Sequence, residues 1–236
     1  MREALRAGTR PLQRLLVLRP DRQFHDLIQL AKAQGVPVHI EPPQAFERLV
    51  PDGHHQGVIA FVAAKSYSSL EQILDRAKQR NEPPFLVLLD GVEDPHNLGA
   101  VLRTAEGAGV HGVFIPERRA TGLTSVVAKV SAGALDHMLV GRVGNLIPLI
   151  QQLKDASLWV HAVDMSAEKV HTTVDATGPI ALVLGGEGQG VRPGVLQVCD
   201  ERIKIPMLGR VESLNVSAAA AITIFEVVRQ RQLKKR

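Results

Sequence analysis

Apolar positions along the chain follow two rhythms, and the rhythm changes near residue 84. In the first stretch, Arg14–Arg19 and Val36–Ile40 are short runs rich in aliphatic residues, which predicts strands. Phe24–Gln34 places its apolar residues at helical spacing and is closed by Gly35, the residue type that ends helices in a left-handed conformation. Gly57–Ala64 (GVIAFVAA) is an apolar run of strand length. Ser69–Arg80 then carries Leu70, Ile73, Leu74 and Ala77 along one helical face. Asn81-Glu-Pro-Pro84 breaks the pattern. The expectation is a small α/β domain over 1–64, a linker helix over 65–84, and a second domain over 85–236. The chain opens almost inside a helix, with no cap before Arg2, as it would if upstream residues were missing.

Beyond residue 84 strands and helices alternate. Strands are predicted at Phe85–Leu89, Gly112–Ile115, Leu158–Val163, Ile180–Leu184 and Arg202–Ile205. Helices are predicted from Leu98 to Gly107 or Gly109, over Thr124–His137 and Asn145–Asp155, in a short piece opened by Pro193, and over Val216–Arg229. This order implies α/β architecture with a parallel sheet covered on both faces. Ligands of such sheets sit beyond the carboxyl ends of the strands, which directs attention to Asp90–Asn97, Gly185–Gly190 and Pro206–Asn215.

Composition narrows the picture modestly. Hydrophobic residues at 45% of 236 supply a core, and charged residues at 22% cover it. No apolar run reaches the roughly 18 residues of a membrane span, and MREALRAGTR lacks a signal-peptide core. The single cysteine, Cys199, forbids an intrachain disulfide and fits a reducing, cytoplasmic setting. A formal net charge of +4 favours a polyanionic partner. The basic residues gather at the ends: Arg2, Arg6, Arg10, Arg14, Arg19 and Arg22 at one, and Arg229, Arg231, Lys234, Lys235 and Arg236 at the other.

Three segments carry candidate chemistry. The first is Ile180-Ala-Leu-Val-Leu-Gly-Gly-Glu-Gly-Gln-Gly190, an apolar strand dissolving into glycines around Glu187. It fails the dinucleotide fingerprint because Val191 occupies the third glycine position, and it lacks the lysine of a phosphate-binding loop. A carboxylate at that turn would also repel a pyrophosphate. The pattern suits a nucleoside-like ligand without phosphates, such as S-adenosylmethionine with its sulfonium and ammonium; a plain turn explains the glycines equally well. The second segment is Leu89-Asp-Gly-Val-Glu-Asp-Pro-His-Asn-Leu-Gly-Ala-Val-Leu-Arg103. Here Asn97 is expected as a helix N-cap, and Gly99 to leave a channel through which Arg103 reaches the loop. An ordinary Arg103–Glu106 surface pair is the competing reading. In the third, Ile205–Ile222, the residues Ser213, Asn215 and Ser217 offer more capping groups than one helix start needs.

Taken together and in order, DPHNLGAVLR, LGGEGQG and IPMLGRVESLNVS resemble the three motifs of the SpoU/TrmH family of RNA ribose 2′-O-methyltransferases. DGVEDPHNLGA, His55-Gln56-Gly57 and the FEVVRQR ending resemble the branch that methylates a guanosine in bacterial 23S rRNA. The resemblance implies an N-terminal RNA-binding domain akin to ribosomal protein L30e. It implies a C-terminal SPOUT domain with a deep trefoil knot, a homodimer, and S-adenosyl-L-methionine as cofactor with no metal. It implies cofactor contacts at Leu184, Gly185, Gly186, Gly188, Ile205, Met207, Leu214, Asn215 and Ser217. The catalytic group would comprise Arg103, Asn97, Glu187, Ser213 and Asn215. Arg103 would hold the ribose and its adjacent phosphate while stabilising developing charge, because a guanidinium is a poor base. Glu187 is open between pairing with Arg103 and holding Asn97. His54, His55 and His96 are read as structural. The expected partner is RNA, 23S rRNA or a ribosomal precursor, with no membrane; tRNA is the nearest alternative. A noncatalytic RNA-binding protein of the same fold is the alternative of another class.

Overall fold

The structure, a computed structural model, describes residues 12–50 and 55–234. Arg2, Arg6, Arg10, His54, Lys235 and Arg236 lie outside the described residues. The chain divides into two compact units, Met1–Lys65 and Ser66–Arg236.

In the first unit, β1 (Leu12–Val17) pairs in parallel with β2 (Val38–Ile40) and antiparallel with β3 (Val58–Val62). Helix α1 (Arg22–Ala33) lays Leu27 and Ala31 onto Leu15 and Val17. The strand expected at Arg14–Arg19 begins two residues earlier, because Leu12 still pairs with Val62. The sequence reading missed α2 (Pro43–Leu49), which buries Phe46 against the His55 ring. His55 is structural in a second sense, since its Nδ1 accepts a hydrogen bond from the Gly57 amide at 3.0 Å.

The second unit is built on a sheet ordered β6-β5-β4-β9-β7-β10-β8, parallel throughout. Its strands are β4 (Phe85–Asp90), β5 (Gly112–Pro116), β6 (Val140–Val143), β7 (Trp159–Val163), β8 (Lys169–Val170), β9 (Ile180–Gly185) and β10 (Glu201–Lys204). Every residue of β4 is buried, because successive side chains enter different cores. Phe85, Val87 and Leu89 join α4 (Pro95–Gly107), α5 (Ser125–Val130), α6 (Ala134–His137) and α9 (Val216–Lys234) on one face. Leu86 and Leu88 join α3 (Leu70–Gln79), α7 (Leu146–Asp155) and α8 (Pro193–Val198) on the other.

Two expectations change here. The linker helix over 65–84 is no free connector: α3, capped by a Ser69–Gln72 capping box, buries Ile73 in the second unit's core. Ile73 fits because residue 112 is glycine; a Cβ there would stand 2.5 Å from Ile73 Cδ1. The basic C-terminal tail is also largely engaged. Arg231 donates to the carbonyls of Pro83, Pro84 and Gly178 at 2.9, 3.1 and 2.7 Å, and its guanidinium lies over the Phe85 ring. Arg229 forks onto Glu226, and Lys234 reaches Thr177. Arg231 and Lys234 thus tie α9 to the segments before β4 and β9, while Arg229 is spent on its own helix.

Candidate active site

The apolar run of β9 ends in two glycines because other backbones pass within contact there. A Cβ on Gly185 would stand 1.9 Å from the Gly190 carbonyl carbon, and one on Gly186 would stand 1.9 Å from the Gly91 oxygen. The Gly186 amide donates to the Asp90 carbonyl at 2.8 Å, and the Gly190 amide to Gly186 O at 3.1 Å. The loop is thus folded on itself and pressed onto the end of β4. Gly188 and Gly190 adopt φ of +79° and +62°, where a Cβ is strained. The sequence reading assigned these glycines to ligand approach; Gly185 and Gly186 answer first to loop-on-loop packing.

The same junction holds a pair that the sequence reading did not single out. Asp90, 1% exposed at the end of β4, accepts from the Arg192 amide at 2.9 Å and from its Nε at 2.7 Å. A buried carboxylate needs such partners to offset its desolvation. The pair clips the exit of the glycine loop to β4. The available signal was a lone carboxylate ending an all-apolar strand.

Asn97 does not cap α4. Asp94 is the cap, accepting from the His96 amide at 2.9 Å, with Pro95 at the first helical position. Asn97, nearly buried, instead donates its Nδ2 to Glu187 Oε1 at 2.5 Å. Asn215 Nδ2 donates both to Glu187 Oε1 at 2.9 Å and to Asn97 Oδ1 at 3.0 Å. A carboxylate only accepts, which orients both amides. Asn215 Oδ1 in turn receives the Ser217 amide and hydroxyl at 2.8 and 2.6 Å. Glu187 therefore holds Asn97, resolving the alternative left open above, and one network ties all three motifs together.

Two adjoining cavities open at the carboxyl ends of the strands. The first, about 580 Å³, is lined by Leu184–Gly190, by Ile205 and Met207, and by Glu212–Val216. Asp164, Met165 and Ser166, beyond β7, complete it and were not foreseen. Its lining includes Asp164, Glu187 and Glu212 but no lysine or arginine. The second, about 570 Å³, is lined by Asp90–Asp94 and Asn97, by Arg118 and Arg119 beyond β5, and by Arg192. Gly186, Glu187, Gln189, Gly190 and Val216 line both.

Most expected site residues therefore meet. Leu184, Gly185, Gly186, Gly188, Ile205, Met207, Leu214 and Asn215 line the first cavity, with Glu187 and Ser213. Two do not. Ser217 is turned into the Asn215 cap and lines neither cavity. Arg103 is exposed and lines neither, because the space above Gly99 is filled: a Cβ there would stand 2.7 Å from Val130 Cβ. The Gly99 channel is a helix-packing contact.

Other titratable groups are structural. Burial pushes the Cys199 thiol up to about 12, so it stays protonated. Burial likewise lowers the His111 and His161 pKa values, in each case against a nearby glutamate that raises it. Among the described residues no cluster of three His, Cys, Asp or Glu could hold a metal ion, and no helix is long and apolar enough to cross a membrane.

Comparison with known proteins gives this geometry a context. The family described as SpoU rRNA methylase matches residues 84–225, and that described as RNA 2′-O ribose methyltransferase substrate binding matches residues 1–68. A Bacillus subtilis (strain 168) protein named as a TrmH family tRNA/rRNA methyltransferase, YacO, is 45% identical over 209 residues, spanning 89% of this chain and 84% of its own. A Staphylococcus aureus (strain MSSA476) protein named for the same family is 40% identical over 98% of this chain and 93% of its own. The SpoU methyltransferase AviRb from Streptomyces viridochromogenes matches at a TM-score of 0.82 and 25% identity, covering 99% of this chain and 87% of that one. AviRb in complex with the cofactor AdoMet shares the fold at a TM-score of 0.84. The A. aeolicus TrmH/SpoU tRNA modifying enzyme is 31% identical, with a TM-score of 0.60 over 70% of this chain and 86% of its own. Matched over most of its length by that family and by close relatives, and carrying its three motifs in one network, the chain belongs to the SpoU rRNA methylase family.

Proposed function

We propose that the chain methylates a ribose 2′-hydroxyl of RNA, using S-adenosylmethionine, and that its target is a guanosine of 23S rRNA. The observation that carries this reading is that arginines line one of the two cavities and not the other. The first offers carboxylates, bare backbone and no cation, which fits a ligand bearing a sulfonium and an ammonium but no phosphate. The second, across the glycine loop, sets Arg118, Arg119 and Arg192 beside Asp90, Glu93, Asp94 and Glu187, and its arginines fit an RNA strand.

When bound, S-adenosylmethionine supplies an electrophilic methyl group. The chain's residues do the rest by positioning. Gly185 and Gly186 would present bare backbone to adenosine in the first cavity, while Ile205, Met207 and Leu214 would give it apolar cover. Asn97, Glu187 and Asn215 lock the loop at the boundary of the two cavities. Ser213 and Asn215, which line the first cavity, would position the nucleophile. For transfer to a 2′-oxygen, these residues would have to hold the hydroxyl in line with the methyl group and leave its proton a path out. Stabilisation of the developing charge is assigned to Arg103 on the strength of its motif, not of its position outside both cavities. Retained kcat in a folded Arg103→Ala variant would remove that assignment.

A homodimer is part of the reading. Ala218, Ile222 and Phe225 form an exposed small and apolar stripe on α9, suited to a second copy. The C-terminal knot is part of it as well: from β10 near one sheet edge the chain returns across the strand ends to α9, beside α4. We place the enzyme in the cytoplasm with its RNA.

The test is methyl transfer from radiolabelled S-adenosylmethionine into unmodified 23S rRNA and bulk tRNA, assayed separately, with product nucleosides resolved. 2′-O-methylguanosine in 23S rRNA alone is expected. Label in tRNA would move the substrate, as the tRNA/rRNA names of the relatives allow. Absence of both label and cofactor binding would favour a noncatalytic RNA-binding protein.

A further inference from the structure

The second cavity holds two cations whose individual roles are still unassigned. Arg118 and Arg119 follow β5 at its carboxyl end, are exposed, and line the cavity opposite Asn97 and Glu187. The third arginine there, Arg192, is committed to Asp90. Neither Arg118 nor Arg119 makes a hydrogen bond or ion pair among the described residues. Of the acids around them only Asp90 is neutralised, by Arg192; Asp94 and Glu187 keep their charge but are held in place, Asp94 by the His96 amide and Glu187 Oε1 by two asparagine amides. Glu93 is the remaining carboxylate of the lining.

The segment that carries the two arginines is fixed at both ends. Glu117 donates its amide to Val143 O at 2.8 Å, and its carbonyl accepts from Arg142 at 3.2 Å. Four residues on, the Thr121 amide donates to Val92 O at 3.2 Å, tying the segment to the loop after β4 that forms the cavity's other side. Arg119 itself has φ of +56°. A non-glycine residue there is strained, and glycine would be cheaper. What the position gains from arginine is therefore the side chain.

We infer that the second cavity seats the acceptor nucleotide and that Arg118 and Arg119 clamp the RNA phosphate flanking the target ribose. This rests on the methyltransferase reading above and gives these two residues the phosphate contact that the sequence motif suggested for Arg103. They are positioning residues: they fix the strand so that the 2′-oxygen meets the shared loop, and they do not read base identity.

The test uses the full chain with Arg118→Gln, Arg119→Gly and the double variant, beside a double lysine variant, on the RNA that the wild type methylates. Arg119→Gly removes the guanidinium and relieves the left-handed backbone, so loss of function there cannot be laid to strain. Melting temperatures establish folding. The expected result is a rise in KM for RNA of tenfold or more in the double variant, partly restored by lysine, with S-adenosylmethionine affinity within twofold of wild type. The slope of log affinity for RNA against log salt should fall by about 0.7–0.9 in the double variant, as for loss of one phosphate contact. Unchanged KM and salt slope would overturn the inference, as would a loss confined to kcat. A fall in cofactor affinity with RNA binding intact would also overturn it, showing that the arginines hold the cofactor's carboxylate. A wild-type chain that bound cofactor yet labelled no RNA would instead defeat the underlying reading, and the phosphate assignment with it.

Discussion

Asn97 is held against Glu187 as an amide, and the arrangement tolerates nothing anionic in its place. In Asn97→Asp a second carboxylate would lie where Nδ2 now stands, 2.5 Å from Glu187 Oε1. Two carboxylates at contact cannot both ionise, so their shared proton is held more tightly in the fold than in the unfolded chain. A raised folded pKa gives stability below the usual carboxylate range that is lost as pH rises. Asn97→Asp should therefore melt below Asn97→Ala at pH 8 and recover relative to it near pH 5; parallel melting curves would show that the contact does not persist in solution. The buried histidines carry the opposite sign. Burial lowers the pKa of His161 and His111, so the unfolded state takes up protons first as pH falls through about 6.5. Stability is complete above that value and declines below it. Both ring nitrogens of His161 lack a hydrogen-bond partner, so His161→Leu should raise stability at pH 7 and flatten the decline towards pH 5 in denaturant titrations. Such pairings were scarcely legible in the sequence. Asn97 meets a partner 90 residues away, Asp90 one 102 residues away, and apolar periodicity carries no information about which polar residues converge.

At the scale of elements, the glycine loop divides into positions that pack and positions that turn. Gly186→Ala would drive a Cβ into the Gly91 carbonyl, which is backbone and has no rotamer to yield. Gly188→Ala meets nothing within 4 Å and incurs only the strain of φ +79°, about 1 kcal/mol. The expected order in melting temperature and in cofactor affinity is wild type, then Gly188→Ala, then Gly186→Ala well below both. A reversed order would mean that the loop's role is ligand approach after all. The neighbouring elements show which patterns could be read. The central strands β4 and β9 were plain because both faces are buried, which produces unbroken apolar runs. Two-residue β8 and four-residue β6, the latter broken by Gly141 and Arg142, are too short to show a period. The helix expected over Thr124–His137 is two helices, because Ala132 and Gly133 take φ of +50° and +97°. Gly133, inside an apolar helical pattern, was the visible warning.

For the whole molecule, the question is where the catalytic unit begins. The double proline at 83–84 and the SpoU rRNA methylase match starting at residue 84 both suggest a cut there. The packing places it earlier, near residue 66. Ile73 and Ala77 of α3 are fully buried, and Ile73 shares a core with Leu86, Leu88 and Phe114. Starting the chain at residue 85 would strip that cover, at about 2–5 kcal/mol for the isoleucine alone. It would also remove the Pro83 and Pro84 carbonyls that receive Arg231, whose guanidinium burial has already lowered its pKa. A domain of this size has a total stability of roughly 5–15 kcal/mol, so the combined loss is a large share of it. Residues 66–236 should therefore unfold cooperatively on heating and bind S-adenosylmethionine with the affinity of the full chain. Residues 85–236 should aggregate or melt without a cooperative transition. RNA affinity separates the units from the other side: removing residues 1–65 should weaken it while leaving cofactor binding unchanged, because the cavity assigned to the cofactor is lined wholly by the second unit. Equal loss of both affinities in a folded 66–236 chain would mean that the first unit supports the site as well as the substrate, and the division of labour would have to be redrawn.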